Sequence, residues 1–215
     1  MGQPPKRSLP APKLTAGMGV STLLVLLLTF PASGQSGYEA ALWAALASGG
    51  HVALMRHALA PGTGDPAGFR LEDCATQRNL SAAGRRQARA LGERFRKNGA
   101  ANVAVFSSLW CRCLETARLL DLGEVTPLPA LNSFFRDPSR EAAQTAALRR
   151  LIRERSGGKS LVLVTHQVTI TALTGVFPQS GEIVVVRPEG DGLKVIGRIR
   201  HALLQTSLLH PDLQA

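Results

Sequence analysis

Gly49-Gly50-His51-Val52-Ala53-Leu54-Met55-Arg56-His57 places a turn-forming glycine pair before a continuous apolar run, and two basic residues after it. An apolar run bounded by glycine in this way predicts a strand buried on both faces, as in a parallel sheet. Such a strand, read from His51 to Met55, delivers Arg56 and His57 at its carboxyl end.

Two further runs repeat the arrangement. Residues 103–106 (Val-Ala-Val-Phe) end at Ser107 and Ser108, and the spacing of Leu114, Ala117 and Arg118 beyond them is helical, which puts Arg112 near a helix start. Leu161 to Val164 follows the glycine pair Gly157-Gly158 and ends at Thr165 and His166, after which Ile170 to Leu173 continues as helix. Between the runs, Ser81 opens an amphipathic helix whose apolar side is Ala88, Leu91, Gly92 and Phe95, with Arg85, Arg86 and Arg89 on a solvated face. Residues 140–155 form another, its apolar side drawn from Ala143, Ala147, Leu148, Leu151 and Ile152. Ile183 to Val186 and Val195 to Ile199, around Gly190-Asp191-Gly192, read as an antiparallel hairpin at one edge, remote from function. Valine-rich strands alternating with helical stretches predict an α/β domain.

The chain has 215 residues, within the usual span of a single domain. Lys6, Arg7 and Lys13 precede an apolar run of 11 residues, Val20 to Phe30, followed by the small residues Ala32, Ser33 and Gly34. This order reads as a secretory signal, because a bilayer-spanning helix needs about 20 apolar residues. The expected division is a signal over 1–34, cut after Gly34, and one domain over 35–215, acting in the periplasm or outside the cell; an uncleaved signal would be its one tie to a membrane. Removing 1–34 leaves 22 basic against 15 acidic residues, a net charge of +7 with histidine neutral. A basic surface attracts anions of many kinds. Nucleic acid is excluded as a partner: there is no zinc-finger spacing and no RNP-like motif, and aromatic residues make up only 5% of the chain, too few for base stacking. In an oxidising compartment Cys74 is expected to pair with Cys111 or Cys113, leaving one thiol over.

In open α/β sheets ligands bind beyond the carboxyl ends of the strands. Arg56, His57, Arg112 and His166 all map there, so two guanidiniums and two imidazoles share one cationic pocket suited to phosphate. Arginine offers bidentate donors that keep their charge, and a neutral imidazole is a competent nucleophile near neutral pH. One histidine attacks phosphorus while the other stabilises the phosphoryl oxygens.

Residues 54–58 (Leu-Met-Arg-His-Ala), 107–117 (Ser-Ser-Leu-Trp-Cys-Arg-Cys-Leu-Glu-Thr-Ala) and 164–166 (Val-Thr-His) resemble the histidine phosphatase superfamily, in its phosphoglycerate mutase-like branch. Residues 79–84 (Asn-Leu-Ser-Ala-Ala-Gly) with Gln87-Ala88 add a fourth ordered motif, and the resemblance spans about residues 51–175. It implies a three-layer sandwich with a largely parallel central sheet. It also implies His57 as the phosphohistidine nucleophile, Arg56, Arg112 and His166 as phosphate ligands, and neither metal nor cofactor. Ala58 and Gln167 stand where glycine is usual.

Ser133 stands where mutases of the family carry a glutamate acid, and serine cannot usefully protonate a leaving alkoxide. Asp137, Asp65 and Asp73 are the candidate replacements, with Asp137 and Asp65 ahead. Loss of the mutase acid together with export points to hydrolysis of an external phosphomonoester, either small or envelope-linked. The layout resembles exported phosphatases acting on heptose phosphate of the lipopolysaccharide core. The alternatives are a non-catalytic phosphoester-binding protein on the same fold and a thiol redox protein using Cys111 and Cys113.

Overall fold

The computed structural model describes residues 1–2, 33–155 and 157–200. Contacts divide the chain into residues 1–31 and 32–215, and the second unit holds the fold. The expected signal segment lies almost wholly outside the described residues.

Six strands form one sheet: β1 (Val52–Arg56), β2 (Val103–Ser107), β3 (Val125–Pro127), β4 (Ser160–Thr165), β5 (Ile183–Glu189) and β6 (Gly192–Ile199), in the order β3-β2-β4-β1-β5-β6. The first four in that order run parallel, and β5 and β6 close one side antiparallel. Five helices complete the domain: α1 (Ser33–Ser48), α2 (Ala82–Lys97), α3 (Cys111–Leu120), α4 (Glu141–Arg155) and α5 (Gln167–Thr174).

Alternation along the strands builds the layers, because successive side chains point to opposite faces of a sheet. Ala53, Met55, Val105, Val162 and Val164 pack with Leu46 and Trp43 of α1, Leu91 and Phe95 of α2, and Ala117 and Leu120 of α3. Their neighbours Leu54, Phe106, Leu161, Leu163 and Val184 face Leu148 and Ile152 of α4 and Ile170 of α5. The expected three-layer sandwich is therefore present, each central strand buried on both sides.

Local chemistry sets the helix starts. Ser81 caps α2 by accepting a hydrogen bond from Gly84 N at 3.0 Å. At Gly84 a Cβ would lie 2.1 Å from Leu59 O, so only glycine lets α2 sit against the backbone that follows β1. Gln87, on the same helix, accepts from Leu59 N at 2.9 Å and donates to Ser180 O at 2.9 Å, which ties the loop after β1 to the segment before β5. Of the three arginines read as solvated, Arg86 and Arg89 are exposed, whereas Arg85 pairs with Glu115 at 2.6 Å.

Two sequence expectations need correction. The buried side of α4 is Gln144, Thr145, Leu148 and Ile152, with Ala143 exposed. Gln144 is drawn inward because its amide donates to Ala130 O and Asn132 O at 3.1 and 2.8 Å, satisfying carbonyls of an irregular segment. The hairpin does form the edge, but β5 pairs directly with β1, and the residues leading into it brace the site. Gly181 N donates to Arg56 O and His57 O, and Arg56 N donates to Glu182 O. Finally, α1 and the short β3 carry no signal in the reading above.

Candidate active site

The parallel register carries the site. Arg56 pairs with Thr165 and Ser107 with Val164, and each ladder runs one bond past its strand: His57 N donates to Thr165 O at 3.0 Å and Ser108 N to Val164 O at 2.9 Å. His57 and His166, each the first residue beyond its strand, are thereby set side by side. Their ring centroids lie 5.7 Å apart and their planes meet at 68°. Arg112 comes in from the first turn of α3.

One cavity of about 260 Å³ gathers Arg56, His57, Asp65, Arg112, Asp137 and His166. Six of the seven candidate residues read from the sequence thus line the same space, and Asp73 does not. Asp73 instead caps a short 3-10 turn at Cys74–Thr76 and pairs with exposed Arg70. Ser133 lines the cavity too, its hydroxyl accepting from Phe135 N at 3.3 Å.

Tautomers follow from the partners. His57 Nδ1 lies 2.8 Å from Ala58 O, which can only accept, so Nδ1 carries the proton and Nε2 the lone pair. His166 Nδ1 lies 3.4 Å from Arg112 Nη2, which can only donate. Its Nε2 therefore bears the proton and donates to Ser108 Oγ at 2.9 Å, and Ser108 passes its own hydrogen to Asn132 Oδ1 at 3.2 Å. Burial, and then the charge of Arg112, lower His57 to about 3; the same causes hold His166 well below the ordinary histidine range. Both imidazoles are neutral at physiological pH.

Asp65 is bound into the cavity wall. It accepts from Arg112 Nη1 at 2.7 Å and Nη2 at 3.2 Å, from Trp110 Nε1 at 3.0 Å and from Arg78 N at 3.1 Å. Burial alone would raise its carboxyl, but the hydrogen bonds and charge of Arg112 outweigh that and hold it below the usual carboxylate range. The Arg112–Asp65 pair is almost fully buried, with side chains 3% and 7% exposed. Asp65 is thus an ionised partner of Arg112 and not a proton donor. Asp137 sits on the loop between Asn132 and α4, accepting a hydrogen bond from Ser139 Oγ.

Arg78 is the site residue that the sequence reading missed. It lines the cavity, donates from Nε to Gly64 O at 2.6 Å, and is lowered by burial and by the charge of Arg112. Its position immediately before the 79–84 motif was the available signal. Arg56 is fixed by donation from Nη1 to Pro178 O at 2.9 Å. Among the described residues, Arg56 Nε and Arg112 Nε are buried donors without a partner.

Cys74 pairs with Cys111, one of the two pairings expected, and fastens the loop carrying Asp65 and Arg78 to the first residue of α3. Cys113 is the free buried thiol, pushed up to about 12 by burial, with Sγ 3.5 Å from His166 Nε2. Cys111 and Cys113 therefore form no redox pair. Among the described residues no group of three or more His, Cys, Asp and Glu could hold a metal ion, and no helix is long and apolar enough to cross a membrane.

Comparison with known proteins agrees with this geometry. The family model described as histidine phosphatase superfamily, branch 1, matches residues 52–134. No curated protein matches the chain. Among solved structures, the protein histidine phosphatase SixA complexed with tungstate is similar at 18% identity and a TM-score of 0.54, over 72% of this chain and 99% of that one. The SixA-type protein of Agrobacterium tumefaciens follows at 18% and 0.51, over 70% and 98%. A Mycobacterium tuberculosis protein, Rv3214, gives 17% and 0.50, over 67% and 94%. At these identities the likeness is one of fold. The fold is thus that of these phosphatases, and residues 52–134, which carry three of the four ordered motifs, are similar to the histidine phosphatase superfamily, branch 1.

Proposed function

We propose that the chain hydrolyses phosphomonoesters through a phosphohistidine formed on His57. The observation that carries this reading is a neutral His57, its Nε2 unprotonated, lining a cavity with Arg56 and Arg112, each of which keeps a buried Nε donor unpartnered. A phosphoryl group in this cavity meets two guanidiniums whose charge does not depend on pH. SixA itself was solved with tungstate, a tetrahedral oxyanion.

In the first step Nε2 of His57 attacks phosphorus and the P–O bond to the leaving group breaks, the alkoxide taking a proton from an acid on the cavity wall. In the second, the carboxylate left by that acid takes a proton from water as the water attacks the phosphohistidine, the P–N bond breaks, and phosphate, neutral His57 and the protonated acid are restored. Arg56, Arg112 and His166 balance the charge on the equatorial oxygens. An incoming dianion favours the charged form of His166, which then offers a second N–H. Asp137 takes the part of the acid, because Asp65 is engaged with Arg112. No metal is required, since these side chains supply the positive charge.

Export remains part of the proposal. The basic and apolar order of residues 1–34 and the Cys74–Cys111 disulfide support it, because such cross-links persist in oxidising compartments. The substrate is then a small or envelope-linked phosphoester.

The test is hydrolysis of a chromogenic aryl phosphate by the chain and by His57→Ala, with a chelator present. Turnover by the first alone, with an acid-labile phosphoenzyme, is the expected result. Equal turnover by His57→Ala would remove the nucleophile assignment. Tight phosphate binding without turnover would favour the binding-protein alternative.

A further inference from the structure

We infer that the mouth of the cavity is an aromatic subsite that selects phosphoesters whose leaving group is a flat, apolar ring. This rests on the phosphatase reading, which fixes which end of the substrate lies deep.

The floor is closed. His57, Arg112 and His166 are 2%, 3% and 4% exposed, so a phosphoryl group held among them directs its organic part outward, past the other residues of the same wall. Among those, beside Arg136, Asp137 and Arg140, are Phe69, Trp110 and Phe135. Phe69 and Trp110 already stack at 5.7 Å with their planes tilted by 39°, and the Arg136 guanidinium lies 5.4 Å over the Phe69 ring.

Phe135 is 56% exposed, and of the large hydrophobic side chains left exposed among the described residues it alone lines this cavity. Its loop is not loose there. Phe135 N donates to Ser133 Oγ at 3.3 Å, and Arg136 reaches across to donate to Asp65 O. A phenyl ring kept facing water at the rim of a catalytic cavity gains by covering another ring, and aromatic pairs prefer the offset or edge contacts this wall offers. The cavity volume, about 260 Å³, falls just under that of sites built for drug-sized ligands, so the ring it takes is small.

Benzyl and ethyl phosphate test this, because both leave as alkoxides and differ chiefly in the ring. The native chain should show a kcat/KM for benzyl phosphate higher by roughly tenfold. Phe135→Ala should remove most of that advantage while leaving ethyl phosphate within about twofold. Calorimetric binding of benzylphosphonate against ethylphosphonate reads the same preference without turnover. Equal treatment of both esters, or an equal loss on both in Phe135→Ala, overturns the subsite while the phosphatase reading stands. If neither ester turns over but benzylphosphonate binds more tightly in a Phe135-dependent way, the phosphatase reading fails and the subsite stands. No preference in either assay rejects the subsite outright.

Discussion

Arg112 grips Asp65 with both terminal nitrogens, at 2.7 and 3.2 Å, in the wall of the cavity proposed to receive a phosphoryl group. Asp65 thus sets an internal carboxylate on the outer donors of the clamp. Without it Arg112 would be a buried, uncompensated charge.

Asp65→Asn should therefore lower stability by about 3 kcal/mol, since breaking a buried pair leaves one charge alone. Inorganic phosphate should recover more of that loss than the increment it gives the native chain, because it now supplies the missing counter-charge. Thermal melts of both proteins with and without phosphate measure this. Identical phosphate increments would mean that Asp65 and phosphate do not share Arg112.

Asp137→Asn separates the acid from the nucleophile. General acid catalysis contributes about 10² to 10⁴ in rate when the leaving group is a poor one. The variant should lose at least about a hundredfold in kcat on an alkyl phosphate and little on an aryl phosphate, whose leaving oxygen scarcely needs a proton. A uniform loss on both would move the acid elsewhere.

Acid should destabilise the fold well before the carboxylates titrate. The unfolded chain takes up protons on histidine below about pH 6.5, whereas native His57, held down to about 3 by burial and Arg112, does not. Where the unfolded state binds more protons, stability falls as pH falls, so it should decline from about pH 6.5 toward 3. His166, lowered for the same reasons, adds to that window, and the lowered carboxyl of Asp65 adds to the loss below its ordinary range. Melting temperatures from pH 7 to 4 should show the decline, with a shallower slope in His57→Asn. An unchanged slope would contradict the neutral, buried His57.

Cys74→Ser tests what the disulfide does for the site. The bridge spans 37 residues, and a loop of that length is worth about 2–4 kcal/mol. Because it joins the Asp65 loop to the residue before Arg112, its loss should raise KM more than it lowers kcat. A lower melting temperature with KM unchanged would show that the Asp65–Arg112 pair suffices to hold the loop.

Strong periodic and boundary signals made the central strands legible: β1, β2 and β4 lie within a residue or two of the apolar runs, and each ends on the polar group that the sequence offered. The four residues proposed to hold phosphate were legible for the same reason, since a strand end is a defined place. Arg78, Phe69 and Phe135 were not. They sit in irregular segments where no period marks the inward side, and among 25 basic residues Arg78 is set apart only by its place beside the 79–84 motif. The inward turn of Gln144 was equally hidden, because polar residues are read as outward and the carbonyls it serves belong to a distant segment.

The hydrogen bond from His57 N to Thr165 O, one step past the end of β1, has a consequence for motion. The spacing of the two imidazoles is a property of main-chain pairing in the middle of the sheet, so their mutual placement is indifferent to fluctuations of the loops above them. The His57 amide should then exchange its hydrogen only when the whole domain opens, making it a native clock of global unfolding at the centre of the chemistry.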